Sequence, residues 1–196
     1  MVSSVTEEVL EVFLQTGAYL KGHFRLTSGL HSPEYLQCAL VLQHPRHAET
    51  LGRMLGAALR QIAGDVDLVV SPAMGGLIIG HEVARHFGVR HIFMERDADR
   101  RMSLRRGFTC QPGERAVVVE DVITTGGSTL EVIDLLRGQG LHVLAAGSII
   151  DRSGGAADVS VPRVALATMQ VRSWQPDVCP LCAEGMPVVK PGSRPA

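Results

Sequence analysis

Short runs of apolar and β-branched residues recur through the chain, and segments of helical period separate them. The runs are VDLVVS (66–71), VRHIFME (89–95), RAVVVED (115–121), HVLAAGSIID (142–151) and RVALATM (163–169). Most are continuously apolar, which suits strands covered on both faces of a sheet. The intervening pieces have the spacing of amphipathic helices: Pro45 to about Ile62, LIIGHEVARHFG ending at Gly88, and Ser128 to about Gly138. Strand and helix in alternation predict an α/β fold with a mostly parallel sheet flanked by helices. Ser4 and Glu7 have the spacing of a capping box ahead of a further helix that runs to Gly17.

Such a sheet binds ligands beyond the C-terminal ends of its strands. Four predicted strand ends carry unusual residues: Ser71 to Gly76, Glu95–Arg96, Glu120 to Gly127, and Asp151–Arg152. The third, VVVEDVITTGG (117–127), is the most informative. It places two acids after a β-branched run and just before a Thr/Gly loop. Gly126 and Gly127 allow backbone N–H groups to turn inward, Thr124, Thr125 and Ser128 add hydroxyls, and a helix begins near Ser128. That combination makes a nest for a phosphate. Glu120 and Asp121 would repel the same phosphate unless they hold another part of its molecule. A ribose 5-phosphate satisfies both, because carboxylates accept hydrogen bonds from vicinal hydroxyls. The residues alone leave two alternatives: a metal on the acids, or an ordinary strand, turn and capped helix with solvated carboxylates.

Composition excludes several classes. The 196 residues are 45% hydrophobic and 20% charged with a formal net charge of -1. Disorder and a global basic field for nucleic acid are therefore not expected. No run approaches the ~20 apolar residues of a membrane span, and the N-terminus has acids where an export signal needs cations. A cytoplasmic protein is expected. Lys21 and Lys190 are the only lysines, so cationic chemistry falls to arginine. Cys179 and Cys182 form CPLC, half of a zinc-site pattern. No partner pair has matching spacing, so a structural turn with reduced thiols is expected. His81, His86 and His91 are expected on helix or strand surfaces.

VVVEDVITTGG resembles the 5-phosphoribosyl-1-diphosphate (PRPP) motif of the type I phosphoribosyltransferases. SPAMGGLIIGHEVAR, MERDADRRMSLRRGF, DRSGG, CPLCAEGMPVVKPGSR and FRLTSGLHSPEYL are similar, in order, to segments of the bacterial orotate members of that family. The resemblance implies one phosphoribosyltransferase domain over residues 1–196, with about residues 1–40 forming a hood over the base site. It implies transfer of phosphoribose from PRPP to N1 of orotate, giving orotidine 5′-monophosphate and pyrophosphate. Mg2+ would be the cofactor, carried mainly by PRPP, with no metal site on the protein.

By position, the resemblance assigns PRPP to Arg96, Glu120, Asp121, Val122, Ile123, Thr124, Thr125, Gly126, Gly127 and Ser128. It assigns the pyrophosphate end to the turn of Ala73, Met74 and Gly75. Orotate falls to Thr124, Arg152, Ser28 and Tyr35. Arg100, Arg101 and Asp121 would be catalytic, with loop 96–106 reaching the neighbouring subunit of a homodimer. Arg152 would otherwise be a surface partner of Asp151. Many members carry lysines in that loop and at the positions of Gly75 and Thr27; none stands here. The competing expectations are transfer to another base, which Arg152 and the N-terminal segment would decide, and a PRPP-sensing nucleic-acid regulator. The second lacks any added helix-turn-helix or basic face.

Overall fold

The computed structural model describes residues 4–26 and 29–191. Ser28 and Thr27 lie outside the described residues. Helix α1 (Ser4–Gln15) leads into a two-stranded antiparallel sheet, β1 (Tyr19–Arg25) with β2 (His31–Leu36). A short α2 (Cys38–Leu42) and the long α3 (Pro45–Ala63) follow. Then come β3 (Leu68–Pro72), α4 (Gly76–Phe87), β4 (Arg90–Arg96), β5 (Met102–Leu104), β6 (Arg115–Ile123), α5 (Gly127–Gly138), β7 (His142–Asp151) and β8 (Arg163–Thr168). The main sheet has the order β5-β4-β3-β6-β7-β8 and is parallel except for the β4–β5 hairpin.

The alternating side chains of β6 show how one strand serves two cores. Val117 and Val119 join Leu51, Leu55, Leu59, Ile79 and Val83 on the α3/α4 face. Ala116 and Val118 join Val132, Ile133 and Leu136 of α5 on the other. All are fully buried, and each large aliphatic side chain so buried contributes roughly 1.5–3 kcal/mol. This explains the continuous apolar runs. Helix α4 stops where expected, at Gly88, whose φ of 73° closes the C-terminus.

Several expectations need correction. Strand β6 extends through Val122 and Ile123, which pair with Ile150 and Asp151 of β7. The acids therefore lie within a strand, and Ile123 turns a buried side chain into the core, so it cannot touch a ligand through that side chain. Residues 96–106, expected as an exposed loop or hairpin, form a hairpin, though its β5 anchors Met102 in the α5-side core. Of the residues expected to form the hood, the β1–β2 hairpin makes a sheet of its own, while α1 packs Val9 and Phe13 into the main core. His91 is half-buried, bonded to Ser71 Oγ at 3.0 Å, and burial first, then His81, lowers its pKa to about 4. The C-terminal residues from Cys179, whose sequence predicts an irregular tail, are ordered instead: after a 3-10 turn (Pro176–Val178) comes a short α6 (Pro180–Ala183), and Val189 then pairs beside Phe24 of the β1–β2 hairpin.

Candidate active site

The period of β6 carries past its core and separates the two acids. Glu120 falls on the α5 face, where its carboxylate accepts the hydroxyl of Thr129 in the first turn of α5. Asp121 falls on the opposite face, against the turn that precedes α4. A Cβ at Gly75 would run into the Asp121 carboxylate, so glycine is what lets that turn lie on the strand. Asp121 Oδ1 accepts its neighbour Val122 N–H at 2.9 Å. Burial raises the Glu120 carboxyl to about 7; Thr129 opposes this, Asp121 adds to it and Arg96 opposes it. Burial likewise raises Asp121, against the backbone N–H groups that favour its ionised form. Two desolvated carboxylates on opposite faces of one strand are each able to accept hydrogen bonds from a ligand that excludes the remaining water.

The loop after β6 ends at Gly126, whose φ of 81° starts α5. Its first helical bond runs from Leu130 N–H to Gly126 C=O at 2.8 Å, and no side chain caps the helix. The N–H groups of Gly127, Ser128 and Thr129 thus have no backbone acceptor among the described residues. Thr124 and Thr125 stand exposed beside them. Orphan donors at a helix N-terminus, flanked by hydroxyls, form an anion site.

Next to this nest is a cavity of about 390 Å³. Leu26, Leu30 and Tyr35 of the hood roof it, Asp121 and Thr124 form its floor, and Arg152 lines its wall. Arg152 follows β7, with its backbone N–H on the Ile123 carbonyl at 2.8 Å. Its expected alternative partner is engaged elsewhere: Asp151 pairs with Arg163 at 2.6 Å and accepts from Ser153. Burial would raise the Asp151 carboxyl, but the Ser153 and Arg163 donors outweigh it and hold it low. The Arg152 guanidinium has no hydrogen bond or ion pair among the described residues, and its Nε is fully buried. Burial lowers its pKa, against the attraction of Tyr35 and Glu34. A half-buried guanidinium with a buried, unbonded Nε in an apolar-roofed cavity favours an acceptor, and a carboxylate or carbonyl fits best.

The other expected residues lie around this centre. In the turn after β3, Ala73 N–H is taken by Met94 C=O at 2.8 Å, so it cannot also bind pyrophosphate. The N–H groups of Met74 and Gly75 remain without acceptors among the described residues. Arg96 is bidentate on Glu131 of α5, at 2.9 and 3.1 Å. Arg101 is paired with Asp99 at 2.9 Å, and Arg106 with Glu95. Arg100 and Arg105 make no ion pair among the described residues, and both are exposed. Glu120 does not line the cavity, and the hairpin arginines do not reach it. The residue reading missed Thr129, Glu131 and Arg163. Thr129, two positions beyond the Thr/Gly loop, was the one with a local signal.

Residues 39–179 match the phosphoribosyl transferase domain family. The orotate phosphoribosyltransferase of Pelotomaculum thermopropionicum is 54% identical over 96% of this chain and 97% of its own length. That of Heliobacterium modesticaldum is 53% identical over 96% and 98%. The chain belongs to the orotate phosphoribosyltransferase family. Among solved structures, that of orotate phosphoribosyltransferase from Aeropyrum pernix superposes with a TM-score of 0.66 at 27% identity, covering 83% of this chain and 94% of the other. Phosphoribosyltransferases of lower identity share the fold, including an adenine enzyme from Thermoanaerobacter pseudethanolicus at 17% identity and a TM-score of 0.60. The parallel sheet and its flanking helices are therefore those of the type I fold. Among the described residues, no helix is long and apolar enough to cross a membrane.

Proposed function

We propose that this chain transfers the 5-phosphoribosyl group of PRPP to N1 of orotate, releasing pyrophosphate. The observation that carries the choice of base is Arg152, an unpaired guanidinium beside the acidic strand end. Orotate presents a carboxylate that uracil and the purine bases lack. A guanidinium already desolvated gains most from an anionic acceptor, because leaving it unpaired is costly.

The remaining parts divide the substrate. The 5′-phosphate sits in the nest from Thr124 to Ser128. Glu120 and Asp121 accept the ribose hydroxyls from either side of β6 and favour positive charge on the ring as the bond to pyrophosphate breaks. Pyrophosphate leaves towards the N–H groups of Met74 and Gly75, with Arg96 nearby once it shares or releases Glu131. Tyr35 and the hood leucines close over the base and exclude water.

Mg2+ binds oxygen donors, and it enters this scheme on the diphosphate. The chain's own carboxylates there, Glu120 and Asp121, each accept one internal hydrogen bond and are assigned to the ribose hydroxyls. When bound, the ion neutralises the leaving group.

A homodimer completes the proposal. The hairpin bearing Arg100, Arg101 and Arg105 lies at the β5 edge, three strand spacings from β6 and so roughly 14 Å away. That separation favours service to a partner's site over the hairpin's own. Cytoplasmic placement belongs to the same reading and is supported by four free cysteines.

The test is Arg152→Met, which keeps bulk and removes charge. The KM for orotate is expected to rise by roughly 10- to 100-fold, the value of a charge-assisted hydrogen bond, with the KM for PRPP little changed. An unchanged KM for orotate would remove Arg152 from base recognition.

A further inference from the structure

The CPLC turn has its missing half. His23 on β1 and His31 on β2 bring their rings to Cys179 and Cys182, although neither histidine has a spacing that sequence patterns recognise. One ligand atom from each of the four side chains lies within 4.8 Å of all the others. His23 Nε2 is 2.9 Å from His31 Nδ1, 3.5 Å from Cys179 Sγ and 3.7 Å from Cys182 Sγ. Cys182 Sγ is 3.2 Å from His31 Nδ1. A tetrahedral zinc centre, with Zn–S of about 2.3 Å and Zn–N of about 2.0–2.1 Å, needs ligand atoms roughly 3.3–3.8 Å apart.

Three further features fit a metal better than a chance cluster. His23 Nδ1 is 2.8 Å from the Met186 carbonyl. A carbonyl can only accept, so that nitrogen carries the proton and Nε2 is left as a bare lone pair facing the cysteines. Orienting a ligand histidine through its second nitrogen is what metal sites do. His23, His31 and Cys179 are buried, and the thiols are not joined in a disulfide. Two thiolates with two neutral imidazoles make a neutral Zn2+ complex, which a buried position tolerates. Cys-x-x-Cys at the start of a short helix supplies one ligand pair, and the β-hairpin supplies the other.

We propose that His23, His31, Cys179 and Cys182 bind a structural Zn2+ ion that fastens the C-terminal segment to the hood. Four protein ligands close the coordination sphere, so the ion has no open position for catalysis. Binding releases the two thiol protons to solvent and leaves both sulfurs as thiolates. The location gives the ion a consequence for the cavity. The two histidines flank the hairpin turn that carries Leu26 and Leu30 over it. Trp174 exchanges two backbone hydrogen bonds with His31, at 2.8 and 2.9 Å, and follows Ser173 of the cavity wall. Val189 exchanges two more with His23 and Arg25, at 2.8 Å each. The ion thus sets the roof of the base site, whichever base that site takes.

The experiment uses the untagged full-length protein, purified under reducing conditions and analysed for metal by mass spectrometry. One zinc per chain is expected. After stripping with chelator, Co2+ is titrated in as a spectroscopic probe. Intense visible d–d bands and a near-ultraviolet thiolate-to-cobalt band are expected to saturate at one ion per chain and to disappear on adding Zn2+. Cys179→Ser/Cys182→Ser should lose both the copurified zinc and the thiolate band, while Cys110→Ser keeps them. Wild-type protein with no copurified zinc, and with a Co2+ spectrum lacking thiolate bands, would overturn the proposal without depending on any variant. Retention of the thiolate band in the double serine variant would also overturn it.

Discussion

Replacing Glu120 by Gln removes a carboxyl that burial holds at about 7 instead of the ordinary 4.5. The amide oxygen of Gln can still accept the Thr129 hydroxyl, so the turn into α5 is kept. Between those two pH values the folded wild type keeps a proton that the unfolded chain has already released. Wild-type stability therefore falls, relative to the variant, as pH rises across that window. At about 1.4 kcal/mol per pH unit the full displacement corresponds to ~3 kcal/mol. Glu120 is only partly buried, so solvent screening lowers this to on the order of 1–3 kcal/mol. The assay is urea unfolding of both chains at about pH 5 and about pH 8, at one protein concentration so that association does not intrude. The variant is expected to gain on the wild type between the two conditions. A stability difference that stays constant would refute the assignment of a raised carboxyl to Glu120. Because Asp121 contributes to the shift, the titration belongs to the pair, and Asp121→Asn should move it to lower pH. PRPP binding should tighten with pH more steeply in the wild type than in Glu120→Gln, since the ionised form accepts the ribose hydroxyls.

Arg100→Ala combined with Arg105→Ala is expected to lower kcat while orotate binding, followed by calorimetry, persists. Arg101→Ala should cost less, because that guanidinium is shared with Asp99; equal kcat in all variants would remove the hairpin from the mechanism. Gly126→Ala adds a Cβ 2.7 Å from Val159 at a φ of +81°. It should destabilise the fold by about 1–2 kcal/mol or more and weaken inorganic phosphate binding, read by thermal melting with and without phosphate.

Much of this arrangement was legible because it is local. The β-branched run of β6, the loop after it and the helix beyond it are consecutive in the chain, so their chemistry could be read in order. The same locality misled where direction matters. Asp151 and Arg152 are adjacent, yet they do not pair: the carboxylate meets Arg163, twelve residues later, and the guanidinium is left for the cavity. Glu120 and Asp121 look like a single acidic unit, but the strand period turns them to opposite faces of the sheet. Ala73 looks like an anion-binding backbone position, but sheet pairing takes its N–H. The His23, His31, Cys179 and Cys182 cluster was beyond reach for a different reason. Its halves are about 150 residues apart, and only the pairing of the hood with the C-terminal segment joins them.

The measurement closest to the central claim is the ultraviolet absorbance of orotate mixed with the protein, PRPP and Mg2+, with the products separated chromatographically. Orotate should be consumed only when PRPP is present and converted to its ribonucleotide, uracil and adenine should be left unchanged beside it, and Asp121→Asn should lose most of the rate. Conversion of another base in preference to orotate, or full activity in Asp121→Asn, would contradict the assignment of the cavity and its acidic strand end.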